Sequence, residues 1–220
     1  MLETIHLNLP AATDDLRKLQ IGTVAYLSGR IFTAREGVYK RAIEDGAGMP
    51  AARDALGLAN FHCSPAATVN ADGSYTVGAV TATASFRFAQ WLDGWFRLSG
   101  CNVIIGKGGM TSEVYRKSFV PNNAIYLTTV GYGTGALLGR GIKRVAGVYW
   151  LEELGLAQAV WVLDVDKFGP FLVESDLAGN SLFERENAKI APGLAKLYAG
   201  TKPATLRRYG ETDDKTEEVI

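Results

Sequence analysis

The octapeptide Val103–Met110, Val-Ile-Ile-Gly-Lys-Gly-Gly-Met, constrains the fold more than any other stretch of the chain. A β-branched run stops at Gly106, one lysine stands between glycines, and a helix-like segment begins at Thr111. The pattern predicts a buried strand that delivers Lys107 into a loop at its C-terminal end. Gly106, Gly108 and Gly109 lack the Cβ atoms that would hold a ligand away from the main chain. The crevice outside the carboxyl ends of strands is where open α/β sheets bind ligands. A turn carrying a solvated lysine is the alternative, and this stretch alone leaves both readings open.

The 220 residues suit one large domain or two small ones. Lysine plus arginine equals aspartate plus glutamate, 23 each, so bulk charge points neither to nucleic acid nor to an anionic membrane. No apolar run approaches the roughly 20 residues that span a bilayer, and no charged-then-apolar leader opens the chain. The expectation is a soluble, cytoplasmic protein. Cys63 and Cys101 are then expected as free thiols. With His6 and His62 they cannot by themselves supply a four-ligand metal or cluster site, so a metal would need carboxylates or another chain.

Taken in order, the chain predicts a single mixed α/β domain over residues 1–200. Residues 1–20 are expected to form a polar entry arm with a short helix near Asp14–Leu19, before a strand at Thr23–Leu27 and a turn at Ser28-Gly29-Arg30. Thr33-Ala34-Arg35-Glu36 fits a capping box. That places Arg35 in the first turn of a helix ending at Gly46 and Gly48, where unpaired N–H groups and a guanidinium suit an anion. An ordinary helix start with a surface arginine is the alternative, and the pattern alone favours it. Leu58–His62 reads as a strand, and Asp72-Gly73 as a hairpin turn. Thr81–Arg87 is a small-sided hydroxyl stretch ending in arginine, either an anion-lining segment or a plain loop. Phe88, Trp91, Leu92, Trp95 and Phe96 repeat at helical spacing and read as core. Thr111–Ser118 is expected to be helical and Ala124–Thr128 to be a strand. Gly131–Gly135 resembles half of a phosphate loop, but the third glycine of the dinucleotide fingerprint is absent, and close helix packing is the favoured reading. Strands at Val145–Tyr149 and Ala159–Val165, a turn at Gly169-Pro170 and a helix at Asn187–Tyr198 complete the domain. A polar, flexible tail is expected over 201–220.

Four stretches together resemble one family: Leu27–Glu36 (Leu-Ser-Gly-Arg-Ile-Phe-Thr-Ala-Arg-Glu), Thr83–Arg87 (Thr-Ala-Ser-Phe-Arg), Ile105–Met110, and Trp150–Gly155 followed by Val160-Trp161 and Phe168-Gly169-Pro170. They are similar to the β subunit of class I (iron–sulfur) fumarases and L-tartrate dehydratases, which forms the C-terminal domain of one-chain members. The resemblance covers residues from about 16 to 190. It implies a swivelling β/β/α domain, mixed sheets with flanking helices, within an α/β class. It also implies a hydro-lyase that adds or removes water on a small hydroxy dicarboxylate, fumarate/malate or L-tartrate. Arg35, Arg87 and Lys107 match the family's substrate-binding cations, and Thr83 its proposed acid–base threonine. The implied 4Fe-4S cluster belongs to a partner α subunit, in a hetero-oligomer of α2β2 type, and no metal is expected on this chain.

The chain departs from the family pattern at three places. Glu36-Gly37-Val38-Tyr39 stands where the family shows Asp-x-Ala-His, Thr81-Ala82 aligns with the Gly-Pro that precedes the family's threonine pair, and Ala84 replaces the second threonine. All of these changes are expected to surround the substrate. The chemistry suits the remaining residues: cations fixed in advance stabilise charge that builds toward a carboxylate as a C3 proton leaves. A threonine hydroxyl is a poor base without a neighbouring charge. Arg35, Arg87 and Lys107 should therefore face one crevice beside Thr83, with little else charged nearby. A non-catalytic anion-binding or assembly domain of the same fold is the other reading.

Overall fold

The computed structural model describes residues 3–131 and 133–200. The chain divides into two units, Met1–Glu184 and Arg185–Ile220. The expected tail from residue 201 lies outside the described residues.

Among its described residues the first unit holds nine strands: β1 (Thr4–Asn8), β2 (Val24–Thr33), β3 (Ala59–Phe61), β4 (Cys63–Val69), β5 (Tyr75–Ala82), β6 (Val103–Gly106), β7 (Ile125–Thr129), β8 (Ile142–Tyr149) and β9 (Val160–Ser175). Seven form one mixed sheet in the order β1-β2-β3-β6-β7-β9-β8, and β4 and β5 form a separate hairpin. β1, β2, β3, β6 and β7 run parallel, while β9 is antiparallel to its neighbours. The 16-residue β9 pairs with β7 at Phe171–Ser175 and with β2 along most of its length, so β2, β3, β6, β7 and β9 close into a ring.

Period-two alternation sorts the ring residues into two cores. Leu27, Phe61, Val103, Ile105, Leu127 and Phe171 enter one. Phe32, Ile104, Tyr126, Val160 and Val162 enter the other, under the helical segments. The expected aromatic stripe lies there: Phe88, Trp91, Leu92, Trp95 and Phe96 are all buried, on a 3-10 turn (Ser85–Trp91) that runs into an α-helix (Leu92–Ser99). Full burial of each large apolar side chain contributes roughly 1.5–3 kcal/mol. Gly100, at φ 66°, ends that helix in the left-handed conformation glycine tolerates. The molecule is thus a mixed α/β fold with flanking helices. Among the described residues, no helix is long and apolar enough to cross a membrane.

Three local expectations are corrected. Ser28-Gly29-Arg30 is not a turn: β2 runs through it, with register irregularities either side of Leu27. Gly29 is needed because a Cβ there would lie 2.4 Å from the Leu9 carbonyl oxygen, so an approach of two backbones looks like turn chemistry in the sequence. Gly169-Pro170 likewise lies within β9, where a Gly169 Cβ would sit 2.8 Å from the Ala25 oxygen. Thr33 does not cap a helix. It ends β2, its hydroxyl donates to the Ala159 carbonyl at 3.2 Å and accepts from the Trp161 N–H at 3.0 Å. Cross-sheet partners 126 and 128 residues away displace the local capping arrangement. The helix begins at Glu36, and a short α-turn (Glu36–Tyr39) widens into a π-helical turn (Lys40–Glu44).

Candidate functional site at the carboxyl ends of the parallel strands

β2, β3 and β6 run parallel, so their carboxyl ends lie on one side of the sheet. Arg35 follows β2, His62 follows β3, and Lys107 follows β6, as the octapeptide predicts. Gly108 takes φ 71° in the loop beyond. The segment after β5 is laid against this end by backbone bonds. The Thr83 N–H donates to the His62 carbonyl at 2.7 Å, the Lys107 N–H to the Thr83 carbonyl at 3.2 Å, and the Ser85 N–H to the Lys107 carbonyl at 3.3 Å. Thr83 and Lys107, 24 positions apart in the sequence, are therefore neighbours along one short parallel bridge.

The Lys107 side chain is exposed and borders a cavity of about 270 Å³ with Thr81, Ala82, Thr129, Gly133 and Gly135. Among the described residues its ammonium has no ion pair or hydrogen bond. The glycine loop is shaped by packing as well: a Cβ on Gly135 or Gly139 would lie 2.6 Å from the Val80 oxygen or 2.1 Å from the Gly78 oxygen. Those two glycines seat the helix Gly135–Gly141 on β5, as the packing reading expects.

The other two cations stand apart from this cavity. Arg35 is the extended residue before the helix, not part of its first turn. Its Nη1 donates to Ser64 Oγ at 2.5 Å and to the Ala157 carbonyl at 3.2 Å. Arg87 is exposed and pairs with Glu36 at 2.9 Å, and Glu36 also holds Lys40 at 2.8 Å. The hydrogen bond from Lys40, and then the charges of Lys40 and Arg87, hold the Glu36 carboxyl below its usual range. The expectation of a crevice with little else charged is thus corrected. Glu36, read from the sequence as half of a capping box, is the counterion of Arg87, while Arg35 is its chain neighbour. Neither arginine borders the cavity at Lys107.

Two further groups lie beneath the Lys107 loop. His62 is fully buried, and burial lowers its imidazole to about 3, so it is neutral. Its Nε2 lies 2.7 Å from the Tyr39 hydroxyl and its Nδ1 2.7 Å from Ser85 Oγ. Tyr39 is itself wholly buried, ringed by Phe88, Trp91 and Trp95. The expectation that Tyr39 faces substrate is corrected, because its ring completes the aromatic core. Glu174 on β9 is buried under Gly109 and accepts from Ser181 Oγ at 2.6 Å. Burial pushes its carboxyl up. Sequence reading did not single out Ser85, Tyr126 or Glu174. The hydroxyl content of Thr81–Arg87 was the one visible signal, and it does not say which hydroxyl turns inward.

Among the described residues no three histidine, cysteine or acidic side chains converge as a metal site. Cys63 and Cys101 are unpaired, buried and in different cores. Burial raises both thiols, Cys101 to about 12. This ligand set does not fit an iron–sulfur cluster held by this chain.

Comparison with known proteins places the chain among named relatives. A Methanocaldococcus jannaschii protein named "Putative L(+)-tartrate dehydratase subunit beta" is 35% identical over 188 residues, spanning 83% of this chain and 93% of the relative. The L(+)-tartrate dehydratase subunit beta of Escherichia coli K12 is 32% identical over 187 residues, 84% of this chain and 88% of the relative. A Geobacillus stearothermophilus protein named "Putative fumarate hydratase class I" is 29% identical over 82% of this chain, which corresponds to 34% of that longer relative. The family model described as fumarase C-terminus matches residues 1–186, so the chain belongs to the fumarase C-terminus family.

Proposed function

We propose that this chain is the β subunit of a two-subunit hydro-lyase that reversibly adds or removes water on a small hydroxy dicarboxylate of the tartrate or fumarate/malate type. The observation that supports it best is Lys107: an exposed ammonium with no partner among the described residues, at a strand end, bordering a cavity and bonded through its backbone to Thr83. The names of the relatives, subunit beta of a tartrate dehydratase, point the same way.

In this reading Lys107 binds one substrate carboxylate and stabilises charge that moves onto it as the C3 proton leaves. The Thr83 hydroxyl, which is bonded to none of the described residues, handles that proton, and the Lys107 ammonium supplies the positive field a threonine needs. Arg87 binds the second carboxylate by exchanging Glu36 for substrate, since an exposed ion pair is worth little. Arg35 then orders the rim through Ser64. The cluster belongs to an α partner, and Phe86, 64% exposed beside Arg87, is apolar surface for that subunit to cover. The swivelling β/β/α description is part of the same proposal.

The Arg87–Glu36 pair favours a second reading, an anion-binding or assembly domain in which the arginine stays occupied. Co-expression with the α partner, anaerobic cluster reconstitution and assay on tartrate, malate and fumarate separates the two. Turnover that requires both chains and falls with Lys107→Ala supports the hydro-lyase. Binding of dicarboxylate without turnover on any of the three substrates supports the second reading.

A further inference from the structure

The buried hydroxyls and imidazole beneath the Lys107 loop form a continuous chain. Tyr126 on β7 donates to Ser85 Oγ at 2.7 Å. Ser85 Oγ lies 2.7 Å from His62 Nδ1, and His62 Nε2 lies 2.7 Å from the Tyr39 hydroxyl. Tyr39 donates to Asn60 Oδ1 at 3.1 Å, and Asn60 Nδ2 reaches the Phe32 carbonyl at 3.4 Å. All five side chains belong to residues buried from solvent.

Counting protons fixes the direction of the chain. Tyr39 has one proton and gives it to Asn60, so His62 must donate to Tyr39 from Nε2. A neutral imidazole then accepts at Nδ1, and the Ser85 proton goes there. Ser85 is left with a lone pair for Tyr126. Every group is satisfied once, in one sense, from Tyr126 to Phe32. With the opposite tautomer, His62 Nδ1 and Tyr126 would both donate to Ser85. The serine proton would then have no acceptor in the chain, and Asn60 Oδ1 would lose its donor, a costly arrangement in a buried network.

We propose that His62, held as the Nε2–H tautomer, and Ser85 are positioning residues that set the register of Thr83 and Lys107. The inference rests on the hydro-lyase reading of that site. Its grounds are mechanical. His62 is clamped on both sides by its own backbone, donating to the Ile105 carbonyl at 2.8 Å and accepting from Thr83. The Ser85 N–H bonds to the Lys107 carbonyl. Gly106 leaves room for the serine: a Cβ there would lie 1.8 Å from Ser85 Oγ and 2.7 Å from the Tyr126 hydroxyl. The side-chain network therefore ties β2, β3 and β7 to one another beneath the bridge that brings the two reactive residues together. A purely apolar core could fill the same space, but it would not fix which way the Ser85 backbone turns.

The test has two arms. In the isolated chain, nitrogen-15 NMR of His62 should show Nε2 protonated and Nδ1 bare, with no titration down to pH 4.5. Ser85→Ala and Tyr126→Phe should each speed exchange of the Lys107 amide at least about tenfold beyond Cys101→Ala, a core substitution away from the site. In the reconstituted enzyme, Ser85→Ala should raise KM about tenfold and lower kcat by less, because loosening Lys107 first weakens carboxylate binding, while Ser85→Thr should restore most of the KM. Cys101→Ala should leave both constants unchanged. An Nδ1–H tautomer, a His62 that titrates near pH 6.5, or unchanged Lys107 exchange in Ser85→Ala overturns the inference. If the reconstituted native enzyme turns over none of the dicarboxylates, the hydro-lyase reading fails, and the NMR arm still decides whether the chain sets the loop.

Discussion

The two ends of the parallel strands differ in what their charged groups are already doing. Away from Lys107, around the amino ends of β3 and β6, a cavity of about 650 Å³ is bordered by Arg30, Arg53, Asp54 and Asp164. It is more than twice as large as the one at Lys107 and carries more charge. Its arginines are nonetheless engaged. Arg30 makes a two-pronged contact with Asp164 at 2.8 and 3.3 Å, Arg144 reaches the same carboxylate at 2.5 Å, and Arg53 donates to the Arg97 and Leu98 carbonyls at the end of a helix. Among the described residues, the ammonium at the smaller cavity has no protein partner, and its backbone bridge leads to a hydroxyl that is likewise unbonded. The larger hollow holds its arginines in internal contacts, whereas the smaller one presents a donor with no partner among the described residues.

Substitutions and pH should separate the two ends, beginning with the largest effect. Gly106→Ala places a Cβ into the buried hydroxyls of Ser85 and Tyr126. Overpacking of this kind costs typically 1–3 kcal/mol, and an overlap this deep should reach about 3 kcal/mol or more, read from the urea midpoint. A midpoint within experimental error of the native chain would remove the packed network from the account.

Acid should act on the site end first. The folded His62 stays neutral to about pH 3, whereas an unfolded histidine takes up its proton near 6.5. Its contribution is fully present above about 6.5 and is lost as pH falls toward 3, at about 1.4 kcal/mol per pH unit. Asp164 is held below its ordinary value by its hydrogen bonds to Arg30 and Arg144. Its contribution persists above about 3.9 and disappears only as pH falls below that. Glu174, raised by burial, has the opposite sign: its contribution is greatest in acid and is lost as pH rises through its folded value. Subtracting the stability curve of His62→Gln from that of the native chain isolates the histidine. A difference flat between pH 6.5 and 4.5 would show that His62 is not held neutral.

Next in size, Lys107→Ala should lower kcat/KM in the assembled enzyme by one to two orders of magnitude. A charge-assisted hydrogen bond is worth about 1.5–3 kcal/mol, and each 1.36 kcal/mol is a factor of about ten. Arg53→Ala at the opposite end should leave kcat/KM unchanged and cost about 1 kcal/mol of stability through the lost bonds to helix carbonyls. Equal activity losses from the two would dissolve the distinction between the ends.

The smallest effect concerns the thiols, one toward each end. Cys63 follows β3 near Arg35, and Cys101 precedes β6 near Arg53. Both are buried with raised pKa. Alkylation at pH 8 should be slow in the folded chain for both and should leave activity intact, whereas rapid loss of activity at Cys63 alone would give that thiol a role in the site.

Residues whose cause is local were legible in the sequence. Lys107 at a strand end follows from β-branched residues meeting glycines, and the buried face of Phe88, Trp91, Leu92, Trp95 and Phe96 follows from helical spacing. The hairpin at Asp72-Gly73 appears where the turn signal stands, between β4 and β5. Errors fell where a distant segment overrode a local motif. Thr33 and Glu36 have the spacing of a capping box, yet Thr33 is held by Ala159 and Trp161, and Glu36 by Arg87 as well as Lys40. Gly29 and Gly169 look like turn residues, yet each makes room for another strand.

The sequence by itself determined most of the elements and the presence of one lysine in a glycine loop, because these depend on the steric preferences of neighbouring residues, but it did not show β1 in the polar opening stretch or the passage of β2 and β9 through their glycines. Only the tertiary structure decided that β9 closes the ring between β2 and β7, that Arg87 meets Glu36 across 51 residues, and that His62 lies inside a chain of hydroxyls and not at the surface. These are contacts between residues distant along the chain. Each becomes favourable only after the loop between its partners has closed and the core around it has excluded water, and no short window of sequence contains both partners.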